Sequence, residues 1–198
     1  MHLSHLIFPK VDLEALAHAL DGVGHHGRLQ SVVELGKKEM AALYDAAADN
    51  PPTTLEDFVP SGVEPMTEVI HHGKNTLPTF SRFQKRFCKP ADGEGTSDQL
   101  WGYNHNVAWL QTLTGPGYFV AHPWKDGGIV IDYTMLPPKH PEGWPEILPN
   151  TARLSRFIYN NMKDVMRKVS EHVTIGRAQR GDSLMDAWFI LVREDVTG

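Results

Sequence analysis

Residues 173–193 read VTIGRAQRGDSLMDAWFILVR, and they contain the clearest β-structure signal in this 198-residue chain. Val173–Gln179 and Leu184–Arg193 are rich in strand-forming residues, and the turn-forming Arg180-Gly181-Asp182-Ser183 separates them. The pattern predicts a hairpin. Both alternating faces of Ala187–Val192 are apolar, which indicates a strand that is covered on both sides. We therefore expect a sheet with other structure packed against its two faces.

The stretch immediately before this hairpin favours a helix. Asn150 is a suitable N-cap, and apolar residues recur at intervals of three and four from about Thr151 to Ser170. The apolar stripe comprises Leu154, Phe157, Ile158, Met162, Val165, Met166 and Val169. The sequence therefore predicts one long amphipathic helix that lies on the sheet.

The first third of the chain has a helical pattern. Asp12 is a suitable N-cap for a helix to about Leu20, and a second helix is predicted from about Leu29 to Ala48. From Met66 onward, short strand-like runs follow one another without crossover helices between them. That order argues against a doubly wound parallel sheet.

The fold class expected from this order is α+β, in a single domain of residues 1–198. A mainly helical part, residues 1–65, would pack on a mostly antiparallel, curved sheet within residues 66–198. The long helix would precede the C-terminal hairpin. Residues 78–88 fit either a helix or a strand, and the glycine-rich loop that follows them favours a strand.

Composition and motifs argue against several classes of function. The net charge of −5 disfavours binding to nucleic acid, which needs a basic surface. The only cysteine, Cys88, cannot form an internal disulfide, and this is typical of a cytoplasmic protein. No apolar run approaches 18 residues, so we expect no membrane span. Phosphate-binding glycine loops are absent from the sequence, and we expect no cofactor.

The 11 histidines do not follow the spacing of metal ligands. His71 and His72 are adjacent on an expected strand, where consecutive side chains point to opposite faces. No histidine pair has the His-x-His spacing of a strand or the i, i+4 spacing of a helix that would place two imidazoles together. The sequence therefore predicts no metal site.

The candidate site is a group of aromatic and titratable residues that begins at residue 101. Trp101, Tyr103 and His105 share one face of a strand, and such a face could line a pocket for a small apolar or aromatic molecule. The predicted ligand-binding residues are Trp101, Tyr103, Tyr118, Trp124, Tyr133, Trp144, Met162 and Met166. The alternative is an aromatic core whose polar tips reach water or the backbone.

Two other functions stay open. In the first, the protein is an enzyme that acts on the same ligand, with His105 or His122 as the base and Asp132 as the carboxylate that orients it. In the second, it is an interaction module that forms a homodimer through the apolar stripe of the helix at residues 29–48.

A run of basic residues interleaved with phenylalanine precedes the candidate site. Its members are Arg82, Lys85, Arg86 and Lys89. We expect them to mark an edge or outer strand, because charged side chains there block the addition of further strands. An anion-binding patch is the alternative.

Overall fold

The centre of the structure, a computed structural model, is a closed barrel of eight strands. The structure describes residues 2–78, 81–105, 115–125, 127–149 and 161–196. Each strand is hydrogen-bonded antiparallel to the next, and the last pairs with the first. The strands are β1 (Val69–Asn75), β2 (Arg82–Cys88), β3 (Leu100–His105), β4 (Tyr118–Pro123), β5 (Ile129–Asp132), β6 (Met162–Lys168), β7 (Val173–Arg180) and β8 (Ser183–Arg193).

The expected α+β fold is wrong, because the sheet closes on itself and the described part of the predicted long helix is a strand. Met162–Lys168 forms β6, which pairs with β5 and β7. The first part of the predicted helix, residues 150–160, lies outside the described residues. Met162 and Met166 both belong to the barrel interior, and their spacing of four fits two strand repeats as well as one helical turn. That coincidence of periods explains the error.

Four short helices precede the barrel, and they cover part of its outer surface. They are α1 (Ser4–Ile7), α2 (Leu13–Asp21), α3 (His25–Val33) and α4 (Lys37–Ala46), followed by 3₁₀ turns at Ala47–Asp49 and Leu55–Asp57. Asp12 caps α2 as expected, since its side chain accepts a hydrogen bond from Ala15 N at 3.0 Å. The predicted helix at residues 29–48 is instead divided between α3 and α4.

The helices pack on the outer faces of β7 and β8. Their apolar residues, among them Met40 and Leu43, form one buried cluster with Ile175, Ile190 and Val192. This explains the two apolar faces of β8, because one face lines the barrel and the other lies under helices. The apolar stripe of residues 29–48, which suggested a homodimer, is therefore covered within the chain. The homodimer stays a prediction, but this stripe no longer supports it.

The two ends of the barrel differ. The segment Leu55–Val63 packs over the end where β1 begins, and the Phe58 ring lies 5.1 Å from that of Phe87 and 5.8 Å from that of His71. At the opposite end, which we call the loop end, strands β1, β3, β5 and β7 finish and strands β2, β4, β6 and β8 begin.

Three glycines on the inner side of the barrel each lie directly opposite a phenylalanine of the neighbouring strand. The pairs are Gly73 with Phe83, Gly102 with Phe119, and Gly176 with Phe189. A β-carbon at Gly102 would lie 2.4 Å from the Phe119 ring and 2.5 Å from the Arg86 carbonyl oxygen. The missing side chains therefore allow the phenylalanine rings to lie flat across the neighbouring strand.

We expect Gly102→Ala to lower the free energy of unfolding by about 1–3 kcal/mol, the usual cost of overpacking a well-filled core. The clash with the Arg86 carbonyl cannot be relieved by rotating a side chain. Urea unfolding followed by tryptophan fluorescence measures the effect. Gly62→Ala is the control, since no atom lies within 4 Å of a β-carbon at that position. Equal stability of the two variants would contradict this account of the interior.

Candidate functional site

The basic run contributes one lysine to the barrel interior. Phe83, Lys85 and Phe87 alternate along β2 with residues on the outer face, and Lys85 is 2% exposed. Its ammonium group donates hydrogen bonds to Asn104 Oδ1 at 2.8 Å and to the Tyr133 hydroxyl, and it lies 3.1 Å from Asp164 Oδ2. The expectation that the basic residues mark an edge or outer strand is wrong for the edge, because the closed barrel has none, and for Lys85, which points inward. Arg82 and Arg86 do alternate to the outer face of β2.

Three buried polar residues surround this ammonium group, and with Lys85 we call them the Lys85 cluster: Asn104, Tyr133 and Asp164. Tyr133 donates its hydroxyl hydrogen to Asp164 Oδ2 at 3.1 Å and accepts a hydrogen bond from Asn104 Nδ2 at 3.0 Å. Asn104 lies near the end of β3, Tyr133 follows β5, and Asp164 lies near the start of β6. All three positions are towards the loop end.

Four aromatic rings also approach the ammonium group. The Lys85 Nζ atom lies 5.0–5.6 Å from the ring centroids of Phe83, Phe119, Tyr133 and Phe189. These distances are within the range of cation–π attraction, which is strongest where water is excluded. The three phenylalanines are the same ones that lie opposite the inward glycines. The space left by these glycines therefore allows the rings to surround the ammonium group.

The electrostatics of the cluster are those of an ion pair that has been removed from water. Burial lowers the pKa of Lys85, while the charge of Asp164 and its hydrogen bond oppose that shift. Burying two charges costs several kcal/mol for each ion, and a well-packed apolar pair of similar volume is often as stable or more stable. Packing alone therefore does not account for a charged pair at this position.

Four of the predicted ligand-binding residues come together, but on the outside of the barrel. Trp101, Tyr103, Tyr118 and Trp144 are each at most 7% exposed, and the Tyr103 ring centroid lies 4.8 Å from that of Trp144. The proline-rich loop covers this group, and the Tyr118 hydroxyl donates a hydrogen bond to Pro145 O at 2.5 Å. The four side chains pack against one another beneath this loop, and their part in ligand binding stays a prediction.

The other four predicted ligand-binding residues are divided between two places. Tyr133 belongs to the Lys85 cluster, and Met162 and Met166 belong to the barrel interior. Trp124 lies beside Lys163, whose Nζ atom is 4.8 Å from the Trp124 ring centroid. Trp124 and Met166 also line a cavity of about 190 Å³.

The predicted acid–base residues do not reach the interior. His122 and Asp132 lie on the outer face, with His122 Nε2 and Asp132 Oδ2 3.7 Å apart, which is too long for a hydrogen bond. Burial acts to raise the pKa of Asp132, but hydrogen bonds from Lys163 and Thr134 outweigh it and lower that pKa. His105 contacts the Tyr103 hydroxyl through Nδ1 at 3.3 Å, and burial lowers its pKa.

Sequence reasoning did not identify Lys85, Asn104 or Asp164 as site residues. Two signals were present: Lys85 alternates with Phe83 and Phe87, and a glycine within a strand marks a close approach of other groups. Neither signal says which face of the strand is inside. The cysteine of the same strand, Cys88, is buried, and burial raises its pKa to about 12, as suits a core residue rather than a nucleophile.

Fold and site together define a closed, eight-stranded, up-and-down β-barrel with a buried ion pair towards its loop end. This architecture is compatible with binding a small apolar ligand inside the barrel. No protein-family model, curated protein or solved structure matches the chain. Among the described residues, no helix has the length and apolar character that crossing a membrane requires.

Proposed function

We propose that the protein binds a small, largely apolar molecule that carries one hydrogen-bond-accepting oxygen, and that the Lys85 cluster binds this oxygen. Small-ligand sites are mostly apolar, with a few polar groups that fix the orientation of the ligand. The Lys85 cluster supplies such groups, and the surrounding phenylalanine rings supply the apolar surface.

The burial of the Lys85 ammonium group carries this proposal. A lysine that is 2% exposed among four aromatic rings costs free energy in the folded state. Residues whose pKa values are shifted by burial and a specific charged partner concentrate at functional sites. Phe83 and Met162 are interior residues that are only partly buried, so the apolar surface near the cluster is not fully covered by described residues.

The donors and acceptors of the cluster determine the chemistry of the ligand. Each of the three hydrogens of the Lys85 ammonium group faces a protein oxygen. A ligand oxygen that binds the ammonium group would therefore replace one of these three protein oxygens. Asn104 is the neutral amide among these partners and lies near the end of β3. A carbonyl or carboxylate oxygen could take the place of the Asn104 amide oxygen, while Asp164 continues to balance the charge.

Calorimetry with ligands of equal chain length tests the proposal. We expect decan-2-one or decanoic acid to bind at least about tenfold more tightly than decane, because a hydrogen bond to a charged donor contributes about 1.5–3 kcal/mol. Lys85→Met should remove this preference. Native mass spectrometry of the purified protein, followed by solvent extraction, would identify a ligand that is retained from the cell.

Lys163→Met is the matched control. Lys163 also pairs with a buried aspartate, Asp132, but on the outer face of the barrel. This variant should keep the preference for the oxygen-bearing ligands. The proposal is wrong if none of the compounds binds, or if Lys85→Met and Lys163→Met bind the series alike.

A further inference from the structure

Three potential metal ligands meet on the outside of the barrel, away from the Lys85 cluster. His25, His72 and Glu194 each bring one ligating atom to within 4.8 Å of the others. His72 Nε2 lies 2.6 Å from Glu194 Oε1, and the ring centroids of His25 and His72 are 5.2 Å apart. The side chains of His72 and Glu194 are 26% and 42% exposed, so an ion can reach them from solvent.

The fold itself creates this arrangement. His72 lies on β1 and Glu194 directly follows β8, so the pairing that closes the barrel sets their separation. The backbone N–H of Glu194 donates to Ile70 O at 2.9 Å, which continues this pairing by one step and places Glu194 diagonally across from His72. His25 is the first residue of α3, and the packing of α3 on β1 and β8 brings it to the same place.

A second contact orients His25. Its Nδ1 atom lies 3.3 Å from the backbone oxygen of Arg193. A carbonyl oxygen can only accept, so Nδ1 carries the hydrogen and Nε2 of the neutral ring has the free lone pair. Metal-ligating histidines almost always have this kind of partner on the other ring nitrogen. The neighbouring acid Asp195 is paired with Arg28 and is not part of the group.

We propose that His25, His72 and Glu194 form a binding site for a divalent transition-metal ion such as zinc. Two imidazoles and one carboxylate are the protein ligands of one class of zinc site, in which water or a bound molecule completes the coordination. Ligand atoms around a tetrahedral zinc ion lie about 3.3–3.6 Å apart, given zinc–ligand distances of about 2.0–2.2 Å. The present separations, 2.6 Å at the His72–Glu194 pair and no more than 4.8 Å overall, bracket that range.

A groove borders the site. It has a volume of about 370 Å³ and lies between α3 and the first two strands. Its lining includes His72, Leu29, Val33 and Arg82. Because His72 belongs to both the groove and the ligand set, a metal ion at this site would lie at the edge of the groove. A small anion that binds the metal could also reach Arg82.

Metal titration of the purified chain tests the proposal. We expect one equivalent of zinc to bind, as measured by equilibrium dialysis and elemental analysis. Cobalt(II) should give the visible absorption bands of a protein-bound ion in place of those of the hydrated ion. His25→Ala, His72→Ala and Glu194→Gln should each weaken zinc binding at least about 100-fold, because even the loss of a residue that only supports a ligand weakens binding 10–100-fold.

His26→Ala is the matched control, since it removes the adjacent and exposed histidine of the same helix. This variant should bind zinc like the unchanged protein. His25→Ala leaves the contact between His72 and Glu194 in place, so its loss of zinc binding separates a metal site from binding by that pair alone. Far-ultraviolet circular dichroism without metal shows whether each variant is folded. Failure to bind zinc stoichiometrically, or equal binding by His25→Ala and His26→Ala, would overturn the proposal.

Discussion

Asp164→Asn should lower the free energy of unfolding by about 3–5 kcal/mol, the usual cost of removing one partner from a buried ion pair. The substitution keeps the shape of the side chain but leaves the Lys85 ammonium group without its counter-charge. Burial already lowers the pKa of Lys85, and Asp164 is the group that opposes this shift. Chemical unfolding at neutral pH measures the loss.

The double variant Lys85→Met/Asp164→Leu should recover most of this stability. Both charges are then absent, and the two apolar side chains can pack among Phe83, Phe119 and Phe189, the rings that now surround the ammonium group. Replacing a whole buried pair by apolar residues is often neutral or stabilising. Recovery of stability together with loss of ligand binding would indicate that the charges serve binding rather than folding.

Asp186→Asn is the control for this experiment. Asp186 pairs with Lys37, but the two side chains are 77% and 48% exposed. We expect a change of no more than about 1 kcal/mol, because water screens exposed ion pairs. If Asp164→Asn proves as mild as Asp186→Asn, the Lys85 cluster is hydrated in solution and our account of its electrostatics is wrong.

The parts of the fold that the sequence predicted correctly depend on local signals. The hairpin of β7 and β8 has its turn at Gly181, whose φ of 58° suits glycine, as the residues 180–183 indicated. The cap at Asp12 is equally local. Closure of the barrel is different, because it pairs β1 with β8 across most of the chain. No turn residue or spacing marks such a contact, so the same sequence pattern fits an open sheet and a closed barrel.

The candidate site was missed for the same reason. Period-two alternation places Lys85 on the same face as Phe83 and Phe87, but only the closed topology makes that face the interior. Trp101 and Tyr103 share a face, as predicted, and this face is the outer one, under the proline-rich loop. His25, His72 and Glu194 come from three distant segments, so their spacing in the sequence carries no sign of a metal site.

One further residue of the interior, His71, should make the protein sensitive to acid. His71 lies between Lys85 and Arg193 in the strand register and is 1% exposed. Its Nε2 atom donates a hydrogen bond to Phe58 O at 2.9 Å, which leaves Nδ1 as the unprotonated nitrogen. Within the part of the chain that the structure describes, Nδ1 has no hydrogen-bond partner. Burial lowers the pKa of His71 from 6.5 to about 3, with the hydrogen bond to Phe58 acting against that shift and the neighbouring cations adding to it.

Protonation of His71 therefore favours the unfolded chain. Between pH 6.5 and pH 3 the unfolded chain binds this proton and the folded chain does not, so stability is present above pH 6.5 and declines as the pH falls. At pH 4.5 the loss should be about 2–3 kcal/mol, since each pH unit corresponds to about 1.4 kcal/mol.

Urea unfolding at a series of pH values should give a shallower decline for His71→Gln, which keeps a donor for Phe58 O but does not titrate. His2→Gln, at an exposed histidine, should follow the unchanged protein. Parallel profiles for the protein and His71→Gln would mean that His71 takes up its proton in the folded state as readily as in the unfolded chain.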